Sequence, residues 1–205
     1  MKYYYCAISL LLFINSCTSL SVLNRMEFSQ STKDDFVWGI NGHPIWSYDY
    51  ENAPLEQQIS LLKEHQFDYY RIDINTDTSG NIKPSRLERF EKLMKLSVSN
   101  NLKILPTLRV YEHLENVNFE VSPDQAYQMG FRQAKGFVEK YGHHFEYYEL
   151  GNEMDIKTIK EKNMRGFEIS DYKPEELELI ATYLKGMITA IKENKNVVIP
   201  ITAEE

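Results

Sequence analysis

The chain has 205 residues and a formal net charge of −7, with 26% charged and 42% hydrophobic residues. It contains nine glycines, seven prolines and two cysteines, a composition that argues against a disordered, collagen-like or disulfide-stapled protein. The negative charge comes without a basic block of the kind that neutralises phosphates, so we expect no nucleic-acid partner. A neutral or polar small substrate fits this charge balance better.

The N-terminal residues are typical of an export signal. An apolar run over residues 6–14 is too short to cross the ~30 Å hydrocarbon core of a bilayer as a helix, but it fits the apolar region of a signal peptide. The residues before Cys17 resemble the bacterial lipobox, whose cysteine is lipidated and becomes the mature N-terminus. We therefore expect a signal peptide over residues 1–16, lipidation of Cys17 and a polar tether over 17–35.

This interpretation predicts an exported, lipid-anchored protein of the bacterial outer membrane, periplasm or cell surface. Cleavage nearby with an unmodified Cys17 is the alternative. In either case the mature chain has at most one cysteine, so it forms no intramolecular disulfide.

Beyond this leader, short runs with β propensity alternate with longer amphipathic segments, which is the pattern of βα units around a parallel sheet. The predicted strands are residues 36–41, 69–74, 103–108, 146–150 and 197–202. The predicted helices begin near Pro54, Pro84, Ser122 and Pro174, and the third ends at Tyr141, before Gly142. We expect residues 36–205 to form one α/β domain.

These units fit either an open doubly wound sheet or part of a (β/α)8 barrel. A nucleotide-binding doubly wound sheet usually carries a G-x-G-x-x-G loop after its first strand, and residues 38–44 lack this spacing. The long polar stretch 154–173 is typical of a loop at the rim of an active site. The domain is shorter than the ~250 residues typical of a complete barrel.

Side chains suited to chemistry gather at the carboxyl ends of the predicted strands, where βα proteins bind ligands. They are Asn41, His43, Trp46, Arg71, Asp73, Arg109, Tyr111, Glu112, His113, Glu149, Asn152, Glu153 and Asp155. Carboxylates, amides and aromatic faces on one rim suit a sugar ring, which has hydroxyl edges and C–H faces. No group of these residues has convincing zinc spacing, so we expect no metal and no cofactor.

Residues 147–153, Tyr-Tyr-Glu-Leu-Gly-Asn-Glu, resemble the Asn-Glu signature that ends the fourth strand in glycoside hydrolase clan A, the retaining (β/α)8-barrel glycosidases. The resemblance extends to the clan's first two strands through residues 38–42, Trp-Gly-Ile-Asn-Gly, and 70–73, Tyr-Arg-Ile-Asp. It implies a TIM-barrel fold. It also implies retaining hydrolysis of a β-glycosidic bond in an oligo- or polysaccharide.

By this resemblance Glu153 is the general acid/base, Asn152 hydrogen-bonds the substrate 2-hydroxyl, and Arg71 helps to position the nucleophile carboxylate. Retaining hydrolysis needs a protonated carboxyl beside the leaving oxygen and a second carboxylate about 5–5.5 Å away. Partial burial of Glu153 beside aromatic side chains would favour its protonated form. The clan's nucleophile is a Glu at the end of strand seven, which has no counterpart here. We therefore expect a barrel truncated after about strand five, and a fragment that is inactive alone.

Simpler interpretations stay open for the same residues. Glu149 also fits a structural residue of the barrel interior, and Asp73 can pair with Arg71 without any catalysis. His43 and Trp46 either line a sugar subsite or pack at the barrel mouth. For the whole chain, the alternatives are a non-catalytic carbohydrate-binding surface lipoprotein and a structural module with an unrelated parallel sheet.

Overall fold

A computed structural model describes residues 37–46, 50, 52–109, 111–161, 164 and 166–194. Within these residues the strands are β1 (Gly39–Gly42), β2 (Tyr69–Ile74), β3 (Lys103–Leu108) and β4 (Glu149–Leu150). The α-helices are α1 (Leu55–Glu64), α2 (Pro84–Ser99), α3 (Tyr111–Glu115), α4 (Pro123–Tyr141) and α5 (Pro174–Glu193). Short 3-10 helices cover Gly142–His144, Met154–Thr158 and Ile169–Asp171.

The described strands form one parallel sheet in the order β1-β2-β3-β4. Strands β2 and β3 pair along their whole length, from Tyr69 opposite Lys103 to Ile74 opposite Leu108. Because consecutive strands are neighbours and βαβ crossovers are right-handed, the connecting helices lie on one face of the sheet. This is the arrangement of βα units in a barrel, as the sequence predicts.

The strand predictions differ in accuracy. Strands β2 and β3 have the predicted bounds, whereas β1 is displaced towards Gly42 and β4 is limited to its last two residues. Strand β4 is short because only Glu149 and Leu150 pair with β3. The predicted leader, with Cys17, and the predicted strand 197–202 lie outside the described residues.

Local sequence signals account for the long helices. Helices α2, α4 and α5 each have proline in their first turn, where its missing N–H costs no hydrogen bond. Helix α4 begins with a capping box, in which the Ser122 hydroxyl accepts from the Gln125 backbone N–H and the Gln125 side chain accepts from the Ser122 N–H. No helix within the described ranges is long and apolar enough to cross a membrane.

The core lies between the helices and one face of the sheet. Tyr70, Ile72 and Ile74 alternate along β2 and are all buried, because successive side chains of a strand point to opposite faces. Buried side chains of the helices, such as Phe90 of α2 and Phe137 of α4, belong to the same cluster.

Two glycines let α4 and α5 approach closely. A Cβ atom on Gly130 would lie 2.0 Å from the Tyr183 carbonyl oxygen, and one on Gly186 would lie 2.1 Å from that of Tyr127. Any larger residue at either position would force the helix backbones apart. The close approach fixes the helix that follows β4 against the helix that precedes it.

Candidate active site at the carboxyl ends of the strands

Arg71 is the centre of the candidate site, on the face of β2 opposite the core. Its Nη1 donates to Asn41 Oδ1 at 2.8 Å, and its Nη2 donates to Asn152 Oδ1 at 2.9 Å. Its Nε donates to Glu149 Oε2 at 2.5 Å, while Nη2 also donates to Glu149 Oε1. The bond to Glu149 raises the pKa of the Arg71 guanidinium above its ordinary value, so the group stays charged. Arg71 thereby connects the ends of β1, β2 and β4.

Of the partners that the sequence offers for Arg71, the structure selects Glu149 and not Asp73. Arg71 pairs with Glu149, which also accepts a 3.3 Å hydrogen bond from Thr107 Oγ1. The register explains this choice, because Thr107 of β3 lies between Asp73 and Glu149 in the sheet. Glu149 reaches back across β3 to Arg71, whereas Asp73 bonds to residues that follow β1 and β3.

Asp73 belongs to a second polar cluster nearer the carboxyl edge. Its Oδ2 lies 3.0 Å from His43 Nδ1 and 3.6 Å from Arg109 Nη1. Arg109 Nη2 lies 3.7 Å from Glu112 Oε1, at the start of α3. Asp73 is only 8% exposed, so its charge is held by these partners rather than by bulk water.

Glu153 follows this edge of the sheet in an unusual backbone conformation. Its φ and ψ angles are 48° and 40°, in the left-handed region that non-glycine residues rarely adopt. Gly151 also has a positive φ, of 77°, so the chain turns sharply just after β4. The Glu153 side chain is exposed, which differs from the partial burial expected of a general acid.

Trp46, like His43, lies in the turn that follows β1. Its indole is half-buried, with the Arg86 guanidinium 5.7 Å from the ring centre. The Trp46 Nε1 atom is buried and has no hydrogen-bond partner among the residues that the structure describes. The structure thus brings Arg71, Asn152 and Glu149 into direct contact and places His43 in the neighbouring cluster.

Sequence reasoning missed a buried network beneath this edge. Gln133 Nε2 lies 2.9 Å from both Thr76 Oγ1 and the Arg109 carbonyl oxygen, and 3.2 Å from His113 Nε2. Gln133 Oε1 accepts a 2.7 Å bond from the Tyr183 hydroxyl. Burial lowers the pKa of His113, which keeps its ring neutral. A glutamine within a helix carries no local sequence signal for such a role.

The described residues do not favour a metal site. In the ranges that the structure covers, no group of three or more His, Cys, Asp or Glu side chains is placed to hold a metal ion. At the strand ends, hydrogen bonds instead join Arg71 to Asn41, Glu149 and Asn152. This geometry is suited to acid/base chemistry and to hydroxyl recognition.

Comparison of the fold with solved structures identifies barrel glycosidases as neighbours. Aphid myrosinase superposes with a TM-score of 0.58 at 15% identity, over 82% of this chain and 47% of its own. The psychrophilic β-glucosidase of Micrococcus antarcticus gives a TM-score of 0.57 at 14% identity, over 80% of this chain and 44% of its own. The β-glucosidase of Thermotoga maritima in complex with glucoimidazole gives a TM-score of 0.58 at 10% identity, over 80% of this chain and 47% of its own.

These matches confirm the fold implied by the resemblance to clan A, a TIM-barrel type of α/β fold. The chain spans about half the length of these solved neighbours. No protein-family model matches the sequence, and no curated protein matches it either.

Proposed function

We propose that this chain forms the acid/base half of a retaining β-glycosidase, which hydrolyses a β-glycosidic bond in an oligo- or polysaccharide. One observation carries the proposal: Arg71 binds Asn152 and Glu149 at the carboxyl edge of the sheet, immediately before Glu153. The fold shared with β-glucosidases supports the same interpretation, because ligands of βα barrels bind at this edge.

In this proposal Glu153 donates a proton to the leaving oxygen and later removes one from the attacking water. The Glu153 side chain is exposed, so a glycosidic oxygen can reach it. Asn152 Oδ1 is held by Arg71, which leaves the Asn152 amide N–H groups to donate to the substrate 2-hydroxyl. Arg71 supplies the positive charge that a second carboxylate needs nearby.

The second carboxylate is assigned to a strand outside the described residues. Glu149 is already bonded through both carboxylate oxygens to Arg71, so we assign it a structural role. The first test is therefore the DNA beyond codon 205, translated in every frame. We expect three or more further βα units with a Glu at the end of the seventh strand. A genuine stop with nothing barrel-like after it would contradict hydrolysis and favour the non-catalytic carbohydrate-binding alternative.

The role of Glu153 is tested in the complete gene product with aryl β-glycosides. We expect Glu153→Gln to lower kcat/KM by about 10²–10⁴-fold for a poorly activated leaving group. The loss should be much smaller for dinitrophenyl glycosides, which need no general acid. Azide should restore turnover of an activated substrate and yield a β-glycosyl azide. The azide anion attacks the glycosyl-enzyme intermediate without needing a general base, unlike water.

Glu161→Gln is the matched control, since Glu161 is an exposed glutamate in the loop after β4. It should leave kcat/KM and the azide response unchanged. Equal effects of the two substitutions, or an unchanged leaving-group dependence in Glu153→Gln, would overturn the assignment.

We further propose export and lipidation at Cys17. The support is the signal-like N-terminal sequence, with its short apolar run before the cysteine. Metabolic labelling with a clickable palmitate analogue in a bacterial host should modify the wild-type chain and not Cys17→Ser. Labelling of both chains, or of neither, would contradict lipidation at this residue.

A further inference from the structure

We propose that Asp73 is a positioning residue that binds His43 Nδ1 and so orients His43 Nε2 to accept a hydrogen bond from a hydroxyl of an uncharged sugar. The ligand part of this inference rests on the proposed glycosidase function, whereas the positioning part rests on geometry alone. Asp73 has no assigned role in the glycosidase chemistry described above. It lies on the same face of β2 as Arg71 and two residues nearer the carboxyl edge.

The contact between Asp73 and His43 determines which imidazole nitrogen carries the proton. Asp73 Oδ2 lies 3.0 Å from His43 Nδ1, so the ring donates its Nδ1 proton to the carboxylate. A neutral imidazole with the proton on Nδ1 presents Nε2 as an acceptor. Among the described residues, none forms a hydrogen bond with His43 Nε2, and the His43 side chain is 40% exposed. His43 is therefore accessible to a ligand while its buried partner is not.

The charges around Asp73 bear on which substituents a ligand can carry here. Arg109 Nη1 lies 3.6 Å from the same Asp73 oxygen, so this carboxylate already has a permanent cation beside it. Glu112 accompanies Arg109 at 3.7 Å, which leaves the cluster without excess positive charge. A hydrogen-bond acceptor beside two carboxylates suits a hydroxyl donor and disfavours an anionic substituent such as the carboxylate of a uronide.

Hydrogen bonds from the core side hold the backbone of Arg109, one member of this cluster. The Arg109 backbone N–H donates to the Ile74 carbonyl at 3.2 Å, and the Arg109 carbonyl accepts from Gln133 at 2.9 Å. The backbone of Arg109, which lies beside Asp73, is thus fixed by β2 and α4. A rigid support of this kind is what a positioning role requires.

The tautomer of His43 tests the positioning role without any sugar. The full chain, labelled with 15N at its five histidines, gives long-range 1H–15N spectra in which His43→Gln identifies the His43 signals. At pH 7.5 we expect a protonated Nδ1 and an unprotonated Nε2, and Asp73→Asn should produce a mixture of tautomers. An imidazolium, the opposite tautomer, or an unchanged spectrum in Asp73→Asn would overturn the positioning role.

The ligand role is tested by titrating the same protein with methyl β-glucoside and methyl β-glucuronide. We expect the neutral glycoside to bind at least tenfold more tightly than the glucuronide, and His43→Gln to weaken its binding about 5–10-fold. His65→Gln, an exposed histidine at the end of α1, should change neither affinity.

Tighter binding of the glucuronide, or full affinity in His43→Gln, would overturn the hydroxyl-acceptor role. Absence of binding to both probes would overturn that role and count against the glycosidase proposal. The expected tautomer would in that case still establish Asp73 as the residue that orients His43, so the two failures are distinguishable.

Discussion

The two faces of the sheet differ in what they contribute to the molecule. On the helix-covered face, Tyr70, Ile72 and Ile74 of β2 are 3%, 0% and 1% exposed. The opposite face of the same strand carries Arg71 and Asp73, whose charges are paired with residues from other strands and loops. Apolar burial on one face therefore supplies stability, and the other face is free to carry polar groups for function.

The largest change in stability is expected from a substitution on the helix-covered face. Ile72→Ala should lower the free energy of unfolding by about 2–5 kcal/mol, because it removes buried methyl groups and leaves a cavity. Urea denaturation followed by circular dichroism measures this change. Val98→Ala, at a site that is 70% exposed on α2, should lower the free energy of unfolding by less than about 0.5 kcal/mol. A similar cost for both substitutions would mean that this face is not the stabilising one.

A smaller effect is expected on the polar face, from Arg71 and Glu149. A double-mutant cycle with Arg71→Gln and Glu149→Gln should give a coupling free energy of about 1 kcal/mol, because both side chains are partly exposed to water. The exposed pair Lys135 and Glu139, separated by 3.9 Å on α4, should give about 0.3–0.5 kcal/mol. Equal coupling in the two cycles would show that the Arg71 network adds no order to the site.

The smallest effect concerns the buried network behind the polar face, and it depends on pH. Burial lowers the pKa of His113, so below about 6.5 the unfolded chain takes up a proton that the folded chain resists. Stability should therefore be complete above this pH and fall as the pH decreases. His113→Gln should flatten the dependence measured by urea midpoints between pH 7.5 and 5. His144, whose pKa is also lowered by burial, needs the parallel variant His144→Gln to separate the two contributions. An identical slope in His113→Gln and wild type would contradict this prediction.

Much of the fold could be predicted because its signals are local. Short runs with β propensity predict β2 and β3, and first-turn prolines place α2, α4 and α5. The short helix α3 was missed, since five residues give too little periodicity to detect.

The site could be predicted only as a set of residue types at one edge. The Asn-Glu sequence, the position of Arg71 within β2 and that of His43 after β1 could be found from the sequence. The partner of Arg71 could not, because Glu149 lies 78 residues away and the register of three strands decides the contact. The role of Gln133 depends in the same way on tertiary packing, not on its helical neighbours.

The left-handed backbone at Glu153 has a consequence for how this chain would evolve. A residue other than Gly, Asn or Asp is disfavoured in this conformation by roughly 1–2 kcal/mol. Glu153→Asn should therefore raise the free energy of unfolding by up to about 1 kcal/mol while removing the proposed acid/base. Selection for stability alone would replace this glutamate by asparagine or glycine. A glutamate retained here in related chains would mark selection for activity, and its replacement by asparagine would mark a chain released from catalysis.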